Sequence, residues 1–183
     1  MSKKAPLLIL PLILLFFAWI KIPRKTASIK DGSPEQFPTV TGTNLNRQDK
    51  TYPADLPTDL TIIFIAFQQW QQNTVNGWVP AVQEIEAANP AVSYLEFPTV
   101  WEMTATRRTF LNEGMRAGIP DPTSRERTIT LYLDKPAFKE KLDIPNEDQI
   151  VILLVKQDGT ILWRTEGAVT DEKVAALQQA IEN

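Results

Sequence analysis

Short apolar runs separated by polar, helix-compatible segments dominate the chain after residue 60. Residues 61–67 read TIIFIAF, a continuous β-branched and aromatic run. Such a run is typical of a central strand that is covered on both faces. Residues 92–97, 128–133 and 150–155 have the same character and are three further strand candidates. Strands of this kind that alternate with helices predict a sheet with a buried parallel portion.

Helical spacing connects these strands. After the first strand, apolar residues recur on one helical face at Trp78, Val82 and Ile85. Pro80 is expected near the start of this helix, where its missing N–H does least harm. Further helices are predicted at 101–118 and at 136–142, the second with a proline at its opening. The spacing also predicts that Trp78 is a core residue.

The carboxyl-terminal third predicts a hairpin followed by a helix. Asp158 and Gly159 form a turn signal between the strand at 150–155 and a returning strand at 160–165, which carries Trp163 as a second predicted core tryptophan. Thr170 is placed to cap the last helix, whose apolar face holds Val174, Leu177 and Ile181. The element order β-α-β-α-β-α-β-β-α predicts an α/β fold with a mixed sheet flanked by helices.

The amino terminus has a different pattern. Residues 5–20 form an uninterrupted apolar run (APLLILPLILLFFAWI), preceded by two lysines and followed by a basic segment. We predict a single-pass membrane anchor at 1–22, a proline-punctuated linker at 23–36 and one domain at 37–183 with a helical insert near 101–127. The contact with the lipid bilayer is expected to come from residues 5–22.

A cleaved signal peptide is the alternative to an uncleaved anchor. No small-residue cleavage site follows the apolar run, and the basic residues come directly after it, which favours the anchor. The flank after the run holds more positive charge than the flank before it. The positive-inside rule therefore favours a domain on the cytoplasmic side of the membrane, or on the equivalent matrix or stromal side of an organelle.

Composition excludes several classes of chemistry. The chain contains no cysteine and no histidine, so it has no thiolate nucleophile, no disulfide and no Ser–His or Cys–His pair. Residues 31–183 carry all twenty-two acidic residues against thirteen Lys or Arg, a net charge of −9. Such a domain is repelled by phosphate backbones, so we expect no nucleic-acid partner. The carboxylate pairs Glu147–Asp148 and Asp171–Glu172 fit loop and helix-start positions, and we predict no metal site.

Three segments resemble the thioredoxin-like superfamily: IIFIAFQQWQQNTVNGWVPAVQEI (62–85), FPTVTGTNL (37–45) and IVILLVKQDGTILWRTEGAVTDEKVAALQQAI (150–181). The first is similar to the thioredoxin strand, active-site turn and first helix. The second is similar to the opening hairpin of peroxiredoxin-like domains, and the third to their closing strand–turn–strand–helix unit. The resemblance implies a thioredoxin-like fold with a helical insert.

Within that superfamily, the chain most resembles the assembly factors of the ATP synthase membrane sector, of the mitochondrial Atp-ten type. It shares their polar turn before a Trp-opened helix, an insert that ends near Ile119–Pro120, and a closing Trp163 with Gly167–Ala168. The resemblance implies a non-catalytic, membrane-associated chaperone for a hydrophobic ATP synthase subunit, without a cofactor. Two alternatives stay open: a degenerate peroxiredoxin-like or thioredoxin-like protein with a non-thiol activity, and a secreted binding module.

The chain departs from thioredoxins at the catalytic positions. Thioredoxin chemistry needs two thiols in a C-x-x-C pair at the start of the first helix. Alignment on Pro80 puts Gln72 and Val75 at those positions, and alignment on Trp70 puts Gln71 and Thr74 there. Neither alignment supplies sulfur. Residues 144–145 (Ile-Pro) are a candidate for the cis-proline of thioredoxins, although four polar residues separate them from the next strand.

Two segments are candidate partner-binding surfaces. The turn at 68–73 is expected at the carboxyl end of a central strand, where this class of fold displays its sites. We predict a peptide-binding platform in which an aromatic anchor and amide donors contact the partner. Its residues are Gln69, Trp70, Gln71 and Gln72. The alternative is a solvated loop whose tryptophan packs inward.

The predicted insert is the second candidate surface. It carries five arginines among apolar residues, and its net charge is +1. Trp101, Arg107 and Arg108 are the residues that we predict to contact a partner or lipid headgroups. The alternative is a solvated helix laid over the sheet.

Overall fold

The computed structural model describes residues 36–183. The predicted anchor at 5–22 and the linker up to residue 35 lie outside this part of the chain. Within residues 36–183, no helix combines the length and the apolar character that crossing a bilayer requires.

Residues 36–183 form a seven-stranded sheet with helices on both faces. Its strands are β1 (Val40–Asn44), β2 (Asp49–Tyr52), β3 (Leu60–Ala66), β4 (Val92–Trp101), β5 (Ile129–Leu133), β6 (Val151–Lys156) and β7 (Ile161–Glu166). Its helices are α1 (Gln72–Ala88), α2 (Ala105–Gly118), α3 (Pro122–Arg127), α4 (Lys135–Lys141) and α5 (Asp171–Ile181), and one 3-10 turn (Gln69–Gln71) precedes α1.

The sheet is mixed, as the element order predicts. Its strand order is β2-β1-β5-β4-β3-β6-β7. Strands β3, β4 and β5 are parallel to one another, while β6 and β1 pair antiparallel on the two sides of this parallel centre. The opening hairpin extends further than its predicted range of 37–45, because that segment supplies only β1 and the chain returns through β2 as far as Tyr52.

Alternate residues of the central strand β3 enter two separate cores. Ile63 and Ile65 pack on the face that also buries Phe138 of α4. Ile62 and Phe64 pack on the opposite face, beneath α1 and α5. Both faces are covered because every residue from 61 to 65 is apolar or β-branched, which is the pattern that a doubly covered strand requires.

Two tryptophans are part of the core between the sheet and the helices α1 and α5. Trp78 and Trp163 are buried, which confirms their prediction as core residues. The Trp78 indole N–H donates to the backbone oxygen of Gly167, at 2.9 Å. Gly167 has a φ of +76°, a left-handed conformation that favours glycine. The first helix and the closing segment of the chain are thereby joined across the core.

The first helix begins earlier than predicted. Pro80 was expected near its start, but α1 begins at Gln72 and Pro80 lies in its interior. The apolar face that drives the helix already includes Val75, which is buried against the same core as Trp78. Burial of this additional turn outweighs the loss of one backbone hydrogen bond at the proline.

Strand β4 is longer than predicted and takes Trp101 out of the insert. The prediction ended this strand at Phe97, before Pro98, and began a helix at Trp101. The strand instead continues through Pro98, and residues 99–101 pair with β5. Pro98 lies opposite Ala66, the last residue of β3. The backbone N–H that proline lacks is therefore missing at the end of the β3–β4 pairing.

Candidate functional site

The polar turn lies where the sequence predicts it, at the carboxyl end of β3. It begins after Phe67 and leads through the 3-10 turn into α1. Because β3, β4 and β5 are parallel, their carboxyl ends meet at the same edge of the sheet. This edge therefore brings the turn together with Trp101 at the end of β4 and with Lys135, which follows β5.

Gln71 supports the turn from below and does not present its amide to a partner. Its side chain is buried, and its Oε1 accepts hydrogen bonds from the backbone N–H groups of Phe67 and Gln68, at 2.7 and 3.2 Å. Its Nε2 donates to the backbone oxygen of Glu147, at 2.7 Å. Gln71 is predicted to contact a partner, but the structure buries it and occupies both polar ends of its amide inside the protein.

Two more amides of the turn are directed at carboxylates. Gln68 donates to Oε2 of Glu147 at 3.1 Å, on one face of the sheet. Gln72 donates to Oε2 of Glu96 at 3.0 Å, on the other face, and to Asn76 at 3.1 Å. The turn is therefore fixed at both ends by its own amides, and Gln72 offers a partner less donor capacity than the sequence predicts.

Gln69 and Trp70 are the exposed residues of the predicted platform. The Trp70 side chain is 59 % exposed, so the alternative in which it packs inward is wrong. Gln69 is exposed beside it and makes no side-chain hydrogen bond among the described residues. A large aromatic side chain is thus held in water on a backbone that buried hydrogen bonds make rigid. This is an arrangement that a binding anchor needs.

A buried lysine lies under this edge of the sheet. Lys135 is only 3 % exposed, and its Nζ contacts Oε2 of Glu147 at 2.7 Å. Its ammonium also lies 5.4 and 5.5 Å from the ring centroids of Phe67 and Trp101. Lys139, one helical turn further along α4, contacts Oε1 of the same carboxylate at 3.1 Å. The positive charge of Lys135 is thus balanced by one carboxylate and by two aromatic faces.

The electrostatics of Glu147 follow from this pairing. Partial burial acts to raise the pKa of Glu147, but hydrogen bonds from Lys135 and Lys139 and their positive charges more than reverse that effect. The pKa of Glu147 is therefore below its ordinary value, and the carboxylate is ionised at neutral pH.

Glu96 is in the opposite situation. It lies on β4 within hydrogen-bond distance of Gln72, the first residue of α1, and burial raises its pKa, opposed only by the hydrogen bond from Gln72. No lysine or arginine forms an ion pair with it among residues 36–183. Arg127 lies over the Tyr94 ring, on the same face of the sheet, and is paired with Glu86.

Three residues of the segment predicted as an insert were expected to contact a partner, and the structure places them differently. Trp101, the last residue of β4, is exposed, and its ring centroid lies 5.5 Å from the Lys135 ammonium. Arg107 is exposed on α2. Arg108 donates to the backbone oxygen of Met103 at 2.8 Å and lies over the Tyr132 ring, so it mainly packs α2 onto β5. Of the three predicted contact residues in this segment, Trp101 and Arg107 are the accessible ones.

Helix α2 has no buried residue and exposes Phe110 almost completely, at 84 %. Between this helix and β1 lies a cleft of about 310 Å³. Ion pairs of Glu113 with Arg47 and Arg116 lie along it. The cations of this cleft therefore already have partners, and it is separate from the edge that carries Trp70.

The thioredoxin positions do not carry redox groups. Gln71 is buried in its structural role, and Val75 belongs to the core. The Ile144–Pro145 bond is not cis, which corrects that candidate; within residues 36–183 the cis bond is Tyr52–Pro53. Pro145 lies in the loop before β6 that also carries Glu147. In the described part of the chain, no group of three or more acidic side chains lies close enough together to hold a metal ion.

Three site residues were missed from the sequence: Lys135, Glu147 and Glu96. Lys135 and Lys139 are four apart on a short helix and so share a face, which was an available signal. Glu147 was interpreted only as a loop residue. The sequence also shows Glu96 within an apolar strand. Whether the Glu96 side chain is buried, however, depends on which helix covers that strand.

Comparisons with known proteins give a family and a fold. The family model described as "ATP10 protein" matches residues 25–183. No curated protein sequence matches the chain. Among solved structures, the chain is similar to the thioredoxin domain of a thiol-disulfide oxidoreductase from Bacteroides vulgatus, with 14 % identity over 82 % of this chain and 98 % of that one, at a TM-score of 0.53.

Two further structures belong to the Sco group. BsSco, a member of the Sco family of cytochrome c oxidase assembly proteins, is 14 % identical over 83 % of this chain and 96 % of its own, at a TM-score of 0.54. ScoI of Arabidopsis thaliana, with copper bound, is 8 % identical over 79 % and 97 %, at a TM-score of 0.55. These likenesses confirm a thioredoxin-like fold.

Proposed function

This chain belongs to the ATP10 protein family, and from that premise we propose that it is a non-catalytic, membrane-anchored assembly factor for a membrane protein complex. The client that we propose is a membrane subunit of the ATP synthase. Residues 5–22 would hold the protein at the bilayer, with the domain on the cytoplasmic, matrix or stromal side. Nucleic acid is not a proposed partner, since the net charge of the chain after residue 30 is −9.

The observation that carries this proposal is the exposed Trp70 on a turn that buried hydrogen bonds fix in place. Gln71 supports the turn with three hydrogen bonds, and the amides of Gln68 and Gln72 tie its two ends to carboxylates. A rigid aromatic anchor loses little conformational entropy on binding, which makes it suited to capture an apolar segment. Trp101 adds a second exposed aromatic ring at the same edge.

A tether at the membrane would strengthen weak binding. An anchored domain meets client segments at a high effective concentration, so that modest contacts become productive. The predicted linker at 23–36 would join the anchor to the domain. The platform would therefore sample the zone next to the bilayer, where membrane segments of a client emerge.

Crosslinking of the full-length protein in its own membranes tests the proposal. The protein is captured after crosslinking, and its partners are identified and quantified by mass spectrometry. We expect ATP synthase membrane subunits, with recovery reduced by about thirtyfold in W70A, as for an interface residue that contributes about 2 kcal/mol. R107A measures the contribution of the insert.

A matched control is F110A, which removes another exposed aromatic side chain, one that lies on α2 and not on the turn. Recovery of other membrane proteins in place of ATP synthase subunits would keep the assembly-factor role and reject this client. Equal recovery by the wild-type protein and W70A would reject Trp70 as the anchor. Absence of any partner would overturn the proposed function.

A further inference from the structure

The carboxyl half of β4 has an uncovered strip on its α1-facing side. Alternate residues of a strand face the same side of the sheet, and Glu96, Pro98 and Val100 are all partly exposed. Their neighbours Phe97 and Thr99, which face the other side, are buried. Helix α1 covers the strand up to Tyr94, which is buried under it, and the strip begins two residues later.

Glu96 is the charged member of this strip and is oriented by the protein. Gln72 uses one N–H on Asn76 and donates to Oε2 of Glu96. The other carboxylate oxygen, Oε1, accepts no hydrogen bond from the described residues, and it is not among the buried polar atoms that are sealed from solvent without a partner. One oxygen is therefore held in position while the other stays open to an approaching donor.

Among residues 36–183, no lysine or arginine forms an ion pair with this carboxylate. Arg127 is on the same face but is engaged by both oxygens of Glu86, at 2.8 and 2.9 Å, and by the Tyr94 ring. Glu147, on the other face of the same turn, shows how the fold pairs a carboxylate internally, with two lysines. A partly buried carboxylate without a cation is a costly group, and a cation from outside would remove that cost.

We propose that Glu96 and the uncovered strip form a subsite for a basic side chain of the bound partner, a lysine or arginine flanked by apolar residues. The ammonium or guanidinium group would contact Oε1 of Glu96, and the apolar neighbours would lie along Pro98 and Val100. The subsite adjoins the platform, since Gln72 follows Trp70 by two residues and touches Glu96. This inference deepens the proposed function and rests on it for the identity of the partner.

The first test uses small cations and does not depend on any client. Full-length protein in detergent, with ¹³C-labelled glutamate, is titrated with n-butylguanidinium and n-butylammonium, the analogues of the two side chains. We expect the Glu96 carboxyl signal, assigned from its loss in E96Q, to shift saturably with both cations and not with neutral 1-butanol. The exposed Glu84 and Glu102 serve as internal controls. A Glu96 response no larger than theirs would overturn the proposal.

The second test joins the subsite to the platform. In the crosslinking experiment, E96Q is expected to lower partner recovery about tenfold, equivalent to about 1.4 kcal/mol, while E84Q leaves it unchanged. E84Q removes the same charge from an exposed position on α1. Unchanged recovery by E96Q would overturn the subsite even if W70A abolishes binding. Failure of the wild-type protein to capture any client would reject the proposed function, and the cation titration would then decide the subsite alone.

Discussion

Glu147 and Glu96 lie on the two sides of the Trp70 turn, and their pKa values are shifted in opposite directions. Glu147 receives two lysines and an amide, and its pKa is lowered. Glu96 receives a single amide, and burial raises its pKa. Both hold one end of the same turn, so their structural tasks are similar. Among the described residues, the Glu147 side therefore forms a closed support in which lysines neutralise the carboxylate, whereas Glu96 lies beside an exposed strip without a lysine or arginine partner.

The largest expected effect comes from replacing Lys135, the buried cation of the closed support. In K135M the side-chain volume is kept, but Glu147 loses the lysine that lies 2.7 Å from it. We expect a loss of about 3 kcal/mol in the free energy of unfolding, because breaking the buried pair is costly and leaves Glu147 with only the more exposed Lys139. Denaturant unfolding of the full-length protein in detergent, followed by tryptophan fluorescence, measures this loss.

The double variant K135M/E147Q separates lost pairing from lost packing. We expect it to be more stable than K135M alone, since the carboxylate that lost its buried cation is then neutral. K139M is the matched single control and should cost less than K135M, because Lys139 is more exposed and lies further from the carboxylate. Equal losses in K135M and K139M would contradict the view that the buried lysine is the centre of the support.

The amide beneath the turn gives the next largest effect. Q71A leaves three backbone groups without their partner: the N–H groups of Phe67 and Gln68, and the oxygen of Glu147. We expect a loss of about 2 kcal/mol in the free energy of unfolding, the typical cost of unsatisfied buried polar groups. Q69A changes an exposed amide of the same turn and should be neutral. A neutral Q71A would show that water replaces the side chain.

The smallest effects appear when each carboxylate is replaced by its amide and stability is followed against pH. The lowered pKa of Glu147 means that its contribution is present above its unfolded-state pKa and is lost as the pH falls through the folded-state pKa. E147Q should therefore destabilise the protein at pH 7 more than at pH 3. The contribution of Glu96 to stability has the opposite pH dependence. Its pKa is raised in the folded protein, so it favours folding at pH values below its unfolded-state pKa, and this contribution is lost as the pH rises through the folded-state pKa.

E96Q should consequently be more stable than the wild-type protein at pH 7, with the difference vanishing at low pH, where Glu96 is protonated. Urea unfolding of both variants and of the wild-type protein at pH 3 and pH 7 measures these differences. If E96Q were less stable than wild type at pH 7, an internal cation would have to neutralise Glu96, and the comparison of the two carboxylates would fail.

The fold was largely predictable because its signals are local. The TIIFIAF run, the helical spacing of Trp78, Val82 and Ile85, and the Asp158–Gly159 turn each indicate their element without knowledge of distant residues. The predicted boundaries of two elements were wrong at proline residues. Pro80 and Pro98 lie inside elements that were expected to begin or end at them, because burial of neighbouring residues such as Val75 outweighs one missing hydrogen bond.

The candidate site was predictable in position and not in composition. The turn at the end of β3 follows from topology, and the exposure of Trp70 agrees with the predicted platform. The sequence could not tell that Gln71 turns inward while Gln69 faces water, since the two residues have the same side chain. Their roles differ because only one of them meets the backbone of Phe67 and the loop that carries Glu147.

What the sequence determined by itself was the class of the molecule: an α/β chain without thiol or imidazole chemistry, acidic after residue 30, with an apolar run at its amino terminus. These properties depend on composition and on periods of two to four residues. Only the tertiary structure decided that Lys135 pairs with Glu147, twelve residues away, and that Glu96 has no lysine or arginine partner in the part of the chain that the structure describes. Such pairings depend on which surfaces the sheet and helices bury together, and burial is a property of the whole fold.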